Sequence, residues 1–231
     1  MRKYCLLDGG GGAASRSSND EQKYGKLQRY NHFIENWELL SERYRETCYH
    51  NYKTFTQIYG DEVERFFGDE LLHWENEISV AQRRALYEYT SKTSDEINMF
   101  LRADGAGFDC ADKRRLSKRV DLISGALAEF NLERNILVYR VENKDYYNCD
   151  EFVLKSFTST SVNRRYLAIN YENCVQYQIE VPAGKGRGAY IRNMSNYRAE
   201  YEFLLQRDTK VKVVRKLDDG EFKMIRLRVV D

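Results

Sequence analysis

Two glutamates separated by one residue stand near the C-terminal end of the chain. Glu200 and Glu202 lie in the segment NYRAEYEFLL, and the run that follows, QRDTKVKVVRK, alternates apolar and polar residues like a half-buried strand. A strand over 200–205 would point both carboxylates to one face. Like charges this close repel, so one carboxyl is expected to have an altered pKa. The pair is either a solvated strand face neutralised by neighbouring cations or two carboxylates with different catalytic tasks.

An arginine and a run of small hydroxyl residues are the other candidates for chemistry. In ILVYRV, Arg140 shares a strand face with Ile136 and Val138. An unpaired buried charge is costly, so this guanidinium needs an anion. That anion is either a core carboxylate in a structural ion pair or a ligand phosphate or carboxylate gripped in bidentate fashion. The segment FTSTSV (157–162) is either an ordinary edge strand or the wall of a crevice that offers hydrogen bonds.

The elements that must position these residues fall into two halves. Residues 24–132 show helical spacing, with helices predicted over 78–90, 94–103 and 118–132. The remaining hundred residues predict strands over 135–141, 177–183, 188–193, 200–205, 209–216 and 222–230. We therefore expect an α+β fold, with a helical N-terminal half packed on a mostly antiparallel β half. The expected organisation is a flexible Gly/Ser-rich segment over 1–20 and one domain over 21–231, helical over 21–132 and β-rich over 133–231.

Composition narrows the function classes. A net charge of +1 gives no electrostatic case for nucleic-acid binding, and no apolar run approaches a membrane span of about 20 residues. The N-terminal residues MRKYCLLDGGGG do not have the pattern of a secretory signal peptide. The five scattered cysteines predict free thiols, and HWENE is not a zinc motif. We expect a monomer without a metal, acting in the cytosol of its own cell or of a host, as an intracellular protein, a delivered effector or a phage-encoded enzyme.

The chain contains, in this order, an aromatic-Arg strand, an aromatic-x-Ser-Thr-Ser segment and a Glu-x-Glu segment. This succession of motifs resembles the catalytic core of the Arg–Ser–Glu class of mono-ADP-ribosyltransferases. This class includes the enzymatic components of bacterial binary toxins and phage-encoded enzymes. The segment YIRNMSNYRAEYEFLLQRDTKVKVV resembles the family's loop and Glu-x-Glu strand. The segment LYEYTSKTSDEINMFLRA resembles its helix over the nicotinamide cleft. The resemblance covers about residues 80–231 and implies the family's two-sheet core.

The resemblance also implies an activity, with NAD as co-substrate and ADP-ribose transferred to an arginine of a target protein. It implies that Arg140 holds the pyrophosphate and that Ser159 orients Glu202. Glu202 would bind the ribose and stabilise the developing cation, and Glu200 would position and deprotonate the acceptor. Further contacts with NAD are implied for Tyr89, Asn98, Tyr139, Thr160 and Ser161, and a contact with the acceptor protein for Tyr197.

Four questions stay open at this point. Water could be the acceptor, which would make the protein an NAD glycohydrolase, or the fold could be a binding module without catalysis. Tyr89, Asn98 and Tyr197 could be packing or surface residues. The loop that covers the nicotinamide could use Arg164, Arg165 or Tyr166.

Overall fold

The computed structural model describes residues 18–47, 56–58, 62–143, 150–164 and 174–230. The chain divides into two compact units, Met1–Thr47 and Cys48–Asp231. In the described residues the first unit consists of one helix, α1 (Ser18–Thr47). The segment 1–20, predicted to be flexible, lies outside the described residues except for 18–20, which begin this helix. The single domain expected over 21–231 stays a prediction.

The described part of the second unit contains four α-helices. They are α2 (Val63–Glu77), α3 (Val80–Glu88), α4 (Ser94–Arg102) and α5 (Cys110–Glu129). The helices predicted over 78–90, 94–103 and 118–132 are observed as α3, α4 and α5, but α5 ends at Glu129, and residues 131–132, predicted to be helical, form a short strand. Helix α5 begins earlier than predicted because the Asp109 side chain caps its first turn by accepting a hydrogen bond from the Asp112 amide. No helix in the described residues is long and apolar enough to cross a membrane.

The strands of the described residues form an eight-stranded sheet and a two-stranded ribbon. They are β1 (Asn131–Leu132), β2 (Ile136–Glu142), β3 (Glu151–Leu154), β4 (Thr158–Ser161), β5 (Val175–Val181), β6 (Gly184–Lys185), β7 (Gly188–Tyr190), β8 (Glu202–Leu205), β9 (Thr209–Asp218) and β10 (Lys223–Val230). The large sheet has the order β3-β9-β10-β5-β2-β4-β8-β7, and β1 pairs with β6. All pairs are antiparallel except β5 with β10. The predicted α+β class with a mostly antiparallel two-sheet core is confirmed.

The alternation that predicted β9 appears as alternating burial at its start. Val211 is fully buried, whereas Lys210 and Lys212 on either side of it are exposed. Strand β5 is buried along its whole length, as expected of a strand with neighbours on both sides. The segment FTSTSV is an inner strand of the sheet, β4, because it lies between β2 and β8. Its edge-strand interpretation is therefore wrong.

One glycine allows β7 to lie close to β8. Gly188 has a φ of +147°, and a Cβ atom at this position would come within 2.3 Å of the Leu204 carbonyl oxygen. Any side chain here would therefore push β7 away from β8. The close pairing fixes the position of β8, which begins with Glu202.

Helix α2 connects the helical layer to the sheet edge. Its buried residues recur at helical spacing, and two of them are the large aromatic side chains Phe67 and Trp74. Trp74 donates its indole N–H to the Ala126 carbonyl of α5 at 2.7 Å. Phe67 stacks on Tyr190, the last residue of β7, with ring centroids 4.7 Å apart. These contacts hold α2 against the point where the chain leaves β7.

A π-helical turn, Tyr89–Thr93, joins α3 to α4 without a break in the helix. A capping box starts α3, in which Ser79 and Gln82 exchange hydrogen bonds between side chain and backbone. The sequence predicted two helices here, with no sign of the wide turn between them. Such turns are rare, and they are found frequently at functional sites. This turn begins at Tyr89, one of the residues expected to contact NAD.

Candidate active site

The carboxylate of Glu202 is buried at the start of β8, with 6% of the residue exposed. Burial raises the pKa of Glu202 to about 7. A hydrogen bond from the Ser159 side chain opposes the rise, the Glu200 carboxylate adds to it, and Ser195 and Arg140 oppose it. Ser195 donates its hydroxyl to Glu202 Oε2 at 3.4 Å. The predicted abnormal titration therefore belongs to Glu202, and its main cause is burial rather than repulsion.

The three hydroxyl residues of β4 divide between the two faces of the strand. Ser159 and Ser161 share a face, and Ser161 lies directly opposite Glu202 in the register. Ser161 donates its hydroxyl to the Glu200 carbonyl oxygen at 2.7 Å, so it holds the backbone that leads into β8. Thr160 points to the other face and donates to the Phe203 carbonyl at 2.5 Å. The structure therefore places Thr160 in the sheet rather than beside Glu202.

The expectation that Glu200 and Glu202 share a strand is wrong. Glu200 ends a 3₁₀ turn, Arg198–Glu200, and β8 begins only at Glu202. Tyr201 between them has a left-handed backbone with φ of +49°, which ends the turn and interrupts the two-residue alternation. The two carboxylates are nevertheless close enough for Glu200 to raise the pKa of Glu202. Glu200 thus approaches the site from a surface turn and not from the sheet face.

Arg140 bridges β2 and β4. Its Nε donates to Glu142 Oε1, and its Nη1 donates to the Ser159 carbonyl at 2.5 Å. The guanidinium is partly exposed, at 31%, and in the described residues its Nη2 has no hydrogen-bond partner. One of the two partners considered for Arg140, a carboxylate in an ion pair, is therefore present, and Nη2 lacks a partner within the described part of the chain. Tyr139, the preceding residue, is fully buried and points to the other face of β2.

Tyr89 and Asn98 meet across the π turn. Asn98 donates its side-chain N–H to the Tyr89 hydroxyl at 2.9 Å, and that hydroxyl lies 3.5 Å from the Phe157 carbonyl. Burial raises the pKa of Tyr89, the Asn98 hydrogen bond opposes the rise, and the Glu202 charge adds to it. This coupling places the Tyr89 hydroxyl near Glu202. The Asn98 Oδ1 atom is buried and has no hydrogen-bond partner in the described residues.

The loop over 191–201, between β7 and β8, is anchored to α2. Arg192 Nη1 donates to Glu64 Oε1, and its Nε donates to the Arg198 carbonyl at 3.0 Å. The same guanidinium stacks over the Tyr201 ring, 4.8 Å from its centroid. One arginine therefore joins both ends of the loop to a helix. This arrangement fixes the turn that presents Glu200.

The middle of the 191–201 loop is tied to α3 and the π turn. The backbone N–H of Asn196 donates to Thr90 Oγ1 at 3.2 Å, and its side chain donates to the Tyr87 carbonyl at 3.2 Å. Tyr197, the next residue, is 52% exposed. Its ring is therefore accessible at the surface, three residues before Glu200 in the same loop.

Sequence reasoning missed three residues of this site. Ser195 bonds Glu202, Glu142 pairs with Arg140, and Glu64 holds the 191–201 loop. Ser195 stands in the loop that precedes Glu200, so a hydroxyl close to the Glu-x-Glu motif was a usable signal. Glu142 follows Arg140 by two residues on the same strand face, which was also visible. Glu64 lies 128 residues from Arg192, and no local pattern links them.

The loop expected to cover the nicotinamide is not fully described. Arg165 and Tyr166 lie outside the described residues, and Arg164 is the last residue described before that gap. Among the cysteines, Cys110 and Cys174 form no disulfide within the described part of the chain, and the other three lie outside it. The described part of the chain contains no group of three or more His, Cys, Asp or Glu side chains that could hold a metal ion.

Solved structures of bacterial toxins share this fold. The C3 exoenzyme of Clostridium limosum superposes with a TM-score of 0.65, at 17% identity over 78% of this chain and 98% of that one. Plx2a, an ADP-ribosyltransferase toxin from Paenibacillus larvae, gives a TM-score of 0.62 at 20% identity, over 74% of this chain and 96% of that one. C3stau2 from S. aureus, solved with NAD, gives 0.63 at 18% identity over 77% and 99%. At these identities the likeness establishes the fold alone.

Sequence comparison identifies the family. The NAD(+)–arginine ADP-ribosyltransferase EFV of Enterococcus faecalis is 26% identical over 212 residues, which are 86% of this chain. The matched region spans only 40% of that relative's length. The family model described as ADP-ribosyltransferase exoenzyme matches residues 64–228, which include every residue of the cluster around Glu202. The chain therefore belongs to the ADP-ribosyltransferase exoenzyme family.

Proposed function

We propose that the protein is a mono-ADP-ribosyltransferase that cleaves NAD at the bond between nicotinamide and ribose and transfers ADP-ribose to an arginine of a target protein. The observation that carries this proposal is the buried Glu202 carboxylate, with a pKa raised to about 7, beside a second carboxylate on a surface turn. The family membership and the name of the Enterococcus relative support the choice of reaction and acceptor.

The residues around Glu202 suit a nucleotide with a pyrophosphate and two riboses. Arg140 Nη2, which lacks a hydrogen-bond partner in the described residues, can donate to a phosphate oxygen. Tyr89 accepts a hydrogen bond from Asn98 and interacts with Glu202, so the buried Tyr89 would support the carboxylate from within the core. These residues would hold NAD with its nicotinamide-side ribose against Glu202.

The Glu202 carboxylate is buried, so water screens its negative charge only weakly. When the nicotinamide bond breaks, its electron pair leaves with nicotinamide and positive charge develops on the ribose. An ionised carboxylate aimed at that charge stabilises the transition state, typically by about 3–4 kcal/mol per well-placed group. Ser159 and Ser195 hold the carboxylate in one orientation, and they also favour its ionised form. The cluster thus positions a charge before the reaction begins.

Glu200 is placed to act on the acceptor rather than on NAD. It ends a turn of the 191–201 loop and is only half-buried, so an incoming side chain can reach it. A guanidinium pairs with a carboxylate and must lose a proton to become a nucleophile. The ribose–nicotinamide bond would be exchanged for a ribose–guanidinium bond, with the guanidinium proton passing to Glu200. A water molecule in the acceptor position would instead make the enzyme an NAD glycohydrolase.

The test is nicotinamide release from NAD by purified protein, with and without agmatine as a small guanidine acceptor. We expect agmatine to increase the release and to become ADP-ribosylated. Glu202→Gln should abolish both, whereas Glu151→Gln, an exposed glutamate in β3, should leave both unchanged. Release without any agmatine product would favour a glycohydrolase. No release under either condition would favour a binding module.

A further inference from the structure

A pocket of about 410 Å³ lies beside the 191–201 loop. Its lining includes Tyr87, Glu88, Ser91, Lys92, Arg119 and Asn196. In the described residues none of these side chains forms a hydrogen bond or an ion pair with Glu202 or Arg140. Tyr87 is 53% exposed, whereas Tyr89, which faces Glu202, is 1% exposed, so the pocket opens on a different side of the helix. The pocket is therefore separate from the proposed NAD site.

The pocket carries an excess of positive charge. Both oxygens of its one carboxylate are occupied, since Glu88 Oε1 accepts from Arg84 at 2.9 Å and Glu88 Oε2 lies 3.1 Å from Arg119 Nη2. Lys92 is exposed, and in the described residues no carboxylate pairs with it. Arg119 is only partly exposed, at 29%, and it keeps further N–H donors beyond the one that faces Glu88. The hydrogen-bond donors of the pocket that lack a carboxylate partner in the described residues therefore belong to cationic side chains.

The pocket is near the proposed acceptor site. Asn196 belongs both to its lining and to the loop that presents Glu200. Three residues lie between the two positions, so their Cα atoms are at most about 14 Å apart. The loop is also bonded to the pocket wall through Thr90 and Tyr87. A protein that presents an arginine to Glu200 therefore has this pocket within reach of the side chains next to that arginine.

We propose that the pocket binds an acidic side chain of the target protein, a glutamate or aspartate near the acceptor arginine. Charge complementarity carries this choice, because Lys92 and Arg119 offer donors to a carboxylate and Glu88 is already neutralised. The exposed ring of Tyr87 adds an apolar wall to the same lining. This inference rests on the proposed transfer to a protein arginine, and it adds a determinant of which arginine is chosen.

The experiment uses two series of synthetic peptides, each with a single arginine. In one series a glutamate occupies each of the four positions on either side of the arginine in turn, and in the other a glutamine does. The kcat/KM for ADP-ribosylation is measured for each peptide, and agmatine serves as an acceptor that cannot reach the pocket. The variants are Lys92→Glu and, as a matched control, Lys210→Glu, an exposed lysine of β9.

We expect the wild-type protein to prefer glutamate over glutamine at one or more positions, by about 1.5- to 5-fold for an exposed ion pair. The preference should shrink at high salt. Lys92→Glu should abolish or invert it, because repulsion replaces attraction, while Lys210→Glu keeps it. All three proteins should modify agmatine at the same rate, which shows that the fold and the NAD site are intact.

Two results would overturn the inference while leaving the proposed function in place. One is transfer to agmatine with equal kcat/KM for both peptide series. The other is a glutamate preference that survives in Lys92→Glu. Absence of transfer to agmatine and to every peptide would instead refute the proposed function, and the pocket assignment would fall with it.

Discussion

Replacing Glu202 by glutamine should make the protein more stable at neutral pH while removing its activity. Burial raises the pKa of Glu202 from the ordinary 4.5 to about 7, so the folded protein resists ionisation of this group. At about 1.4 kcal/mol per pKa unit, ionised Glu202 costs about 3 kcal/mol of unfolding free energy. Glutamine is neutral and nearly isosteric, so it avoids this cost.

The sign of the pH dependence follows from proton binding. Below about pH 4.5 the carboxyl is protonated in both the folded and the unfolded chain, and the two proteins should be about equally stable. Between pH 4.5 and about 7 the folded state binds the proton more tightly than the unfolded state. The stability of the wild type relative to Glu202→Gln should therefore fall over this range and then stay constant. The charged and titratable groups that face Glu202 are Glu200, Arg140 and Tyr89, and the variant leaves them unchanged.

Urea unfolding at a series of pH values measures this difference, with fluorescence of the buried Trp74 as one probe. The free energy of unfolding of Glu202→Gln should exceed that of the wild type by about 3 kcal/mol at pH 8. Glu151→Gln, at an exposed site, controls for the loss of one negative charge. Equal stability of the wild type and Glu202→Gln at pH 8, or a less stable variant there, would refute the view that burial of an ionised carboxylate strains the native site.

Four further outcomes follow from the site. The kcat/KM for NAD hydrolysis should rise with pH and level off above about pH 7, because only the ionised Glu202 carboxylate can stabilise the positive charge on the ribose. A flat profile of kcat/KM from pH 5 to 8 would contradict this prediction. Arg140→Ala, made in the Glu202→Gln background so that NAD survives calorimetric titration, should weaken NAD binding by about 10- to 100-fold. A large fall of the melting temperature with unchanged affinity for NAD would indicate that Arg140 has a structural role and does not bind NAD. Glu200→Gln should lower transfer to agmatine by about 100- to 10,000-fold and spare NAD hydrolysis; an equal fall of both rates would place Glu200 in the NAD site. Thr160→Val should cost about 1–2 kcal/mol of stability through the lost bond to Phe203, with the KM for NAD unchanged; a raised KM would support the NAD contact implied by the sequence.

Periodicity predicted most of the sheet, and it failed where the chain leaves regular structure. The alternation in β9 is visible because the residues at the start of that strand alternate between buried and exposed positions. At Glu200 the same argument led to a wrong result. The left-handed residue Tyr201 separates a turn from a strand, and a tyrosine gives no sequence signal for that conformation.

The sequence predicted residues of the candidate site only where they belong to a recognisable motif. Residue types and spacing singled out Arg140, the FTSTSV segment and Glu202, the resemblance assigned their roles and selected Ser159, and the structure brings these three residues together. The ion pair of Arg192 with Glu64 spans the chain, and only the fold shows it. The π turn that begins at Tyr89 depends on packing that helical spacing does not report.

The most direct test of the central claim is to locate the ADP-ribose by tandem mass spectrometry on a peptide substrate. The peptide should contain one arginine together with asparagine, glutamine, cysteine and serine, and it should be incubated with NAD and either wild-type protein or Glu202→Gln. The proposed mechanism predicts one ADP-ribose on the arginine side chain with the wild type and none with the variant. Modification of asparagine or another residue, or nicotinamide release with an unmodified peptide, would contradict transfer to arginine.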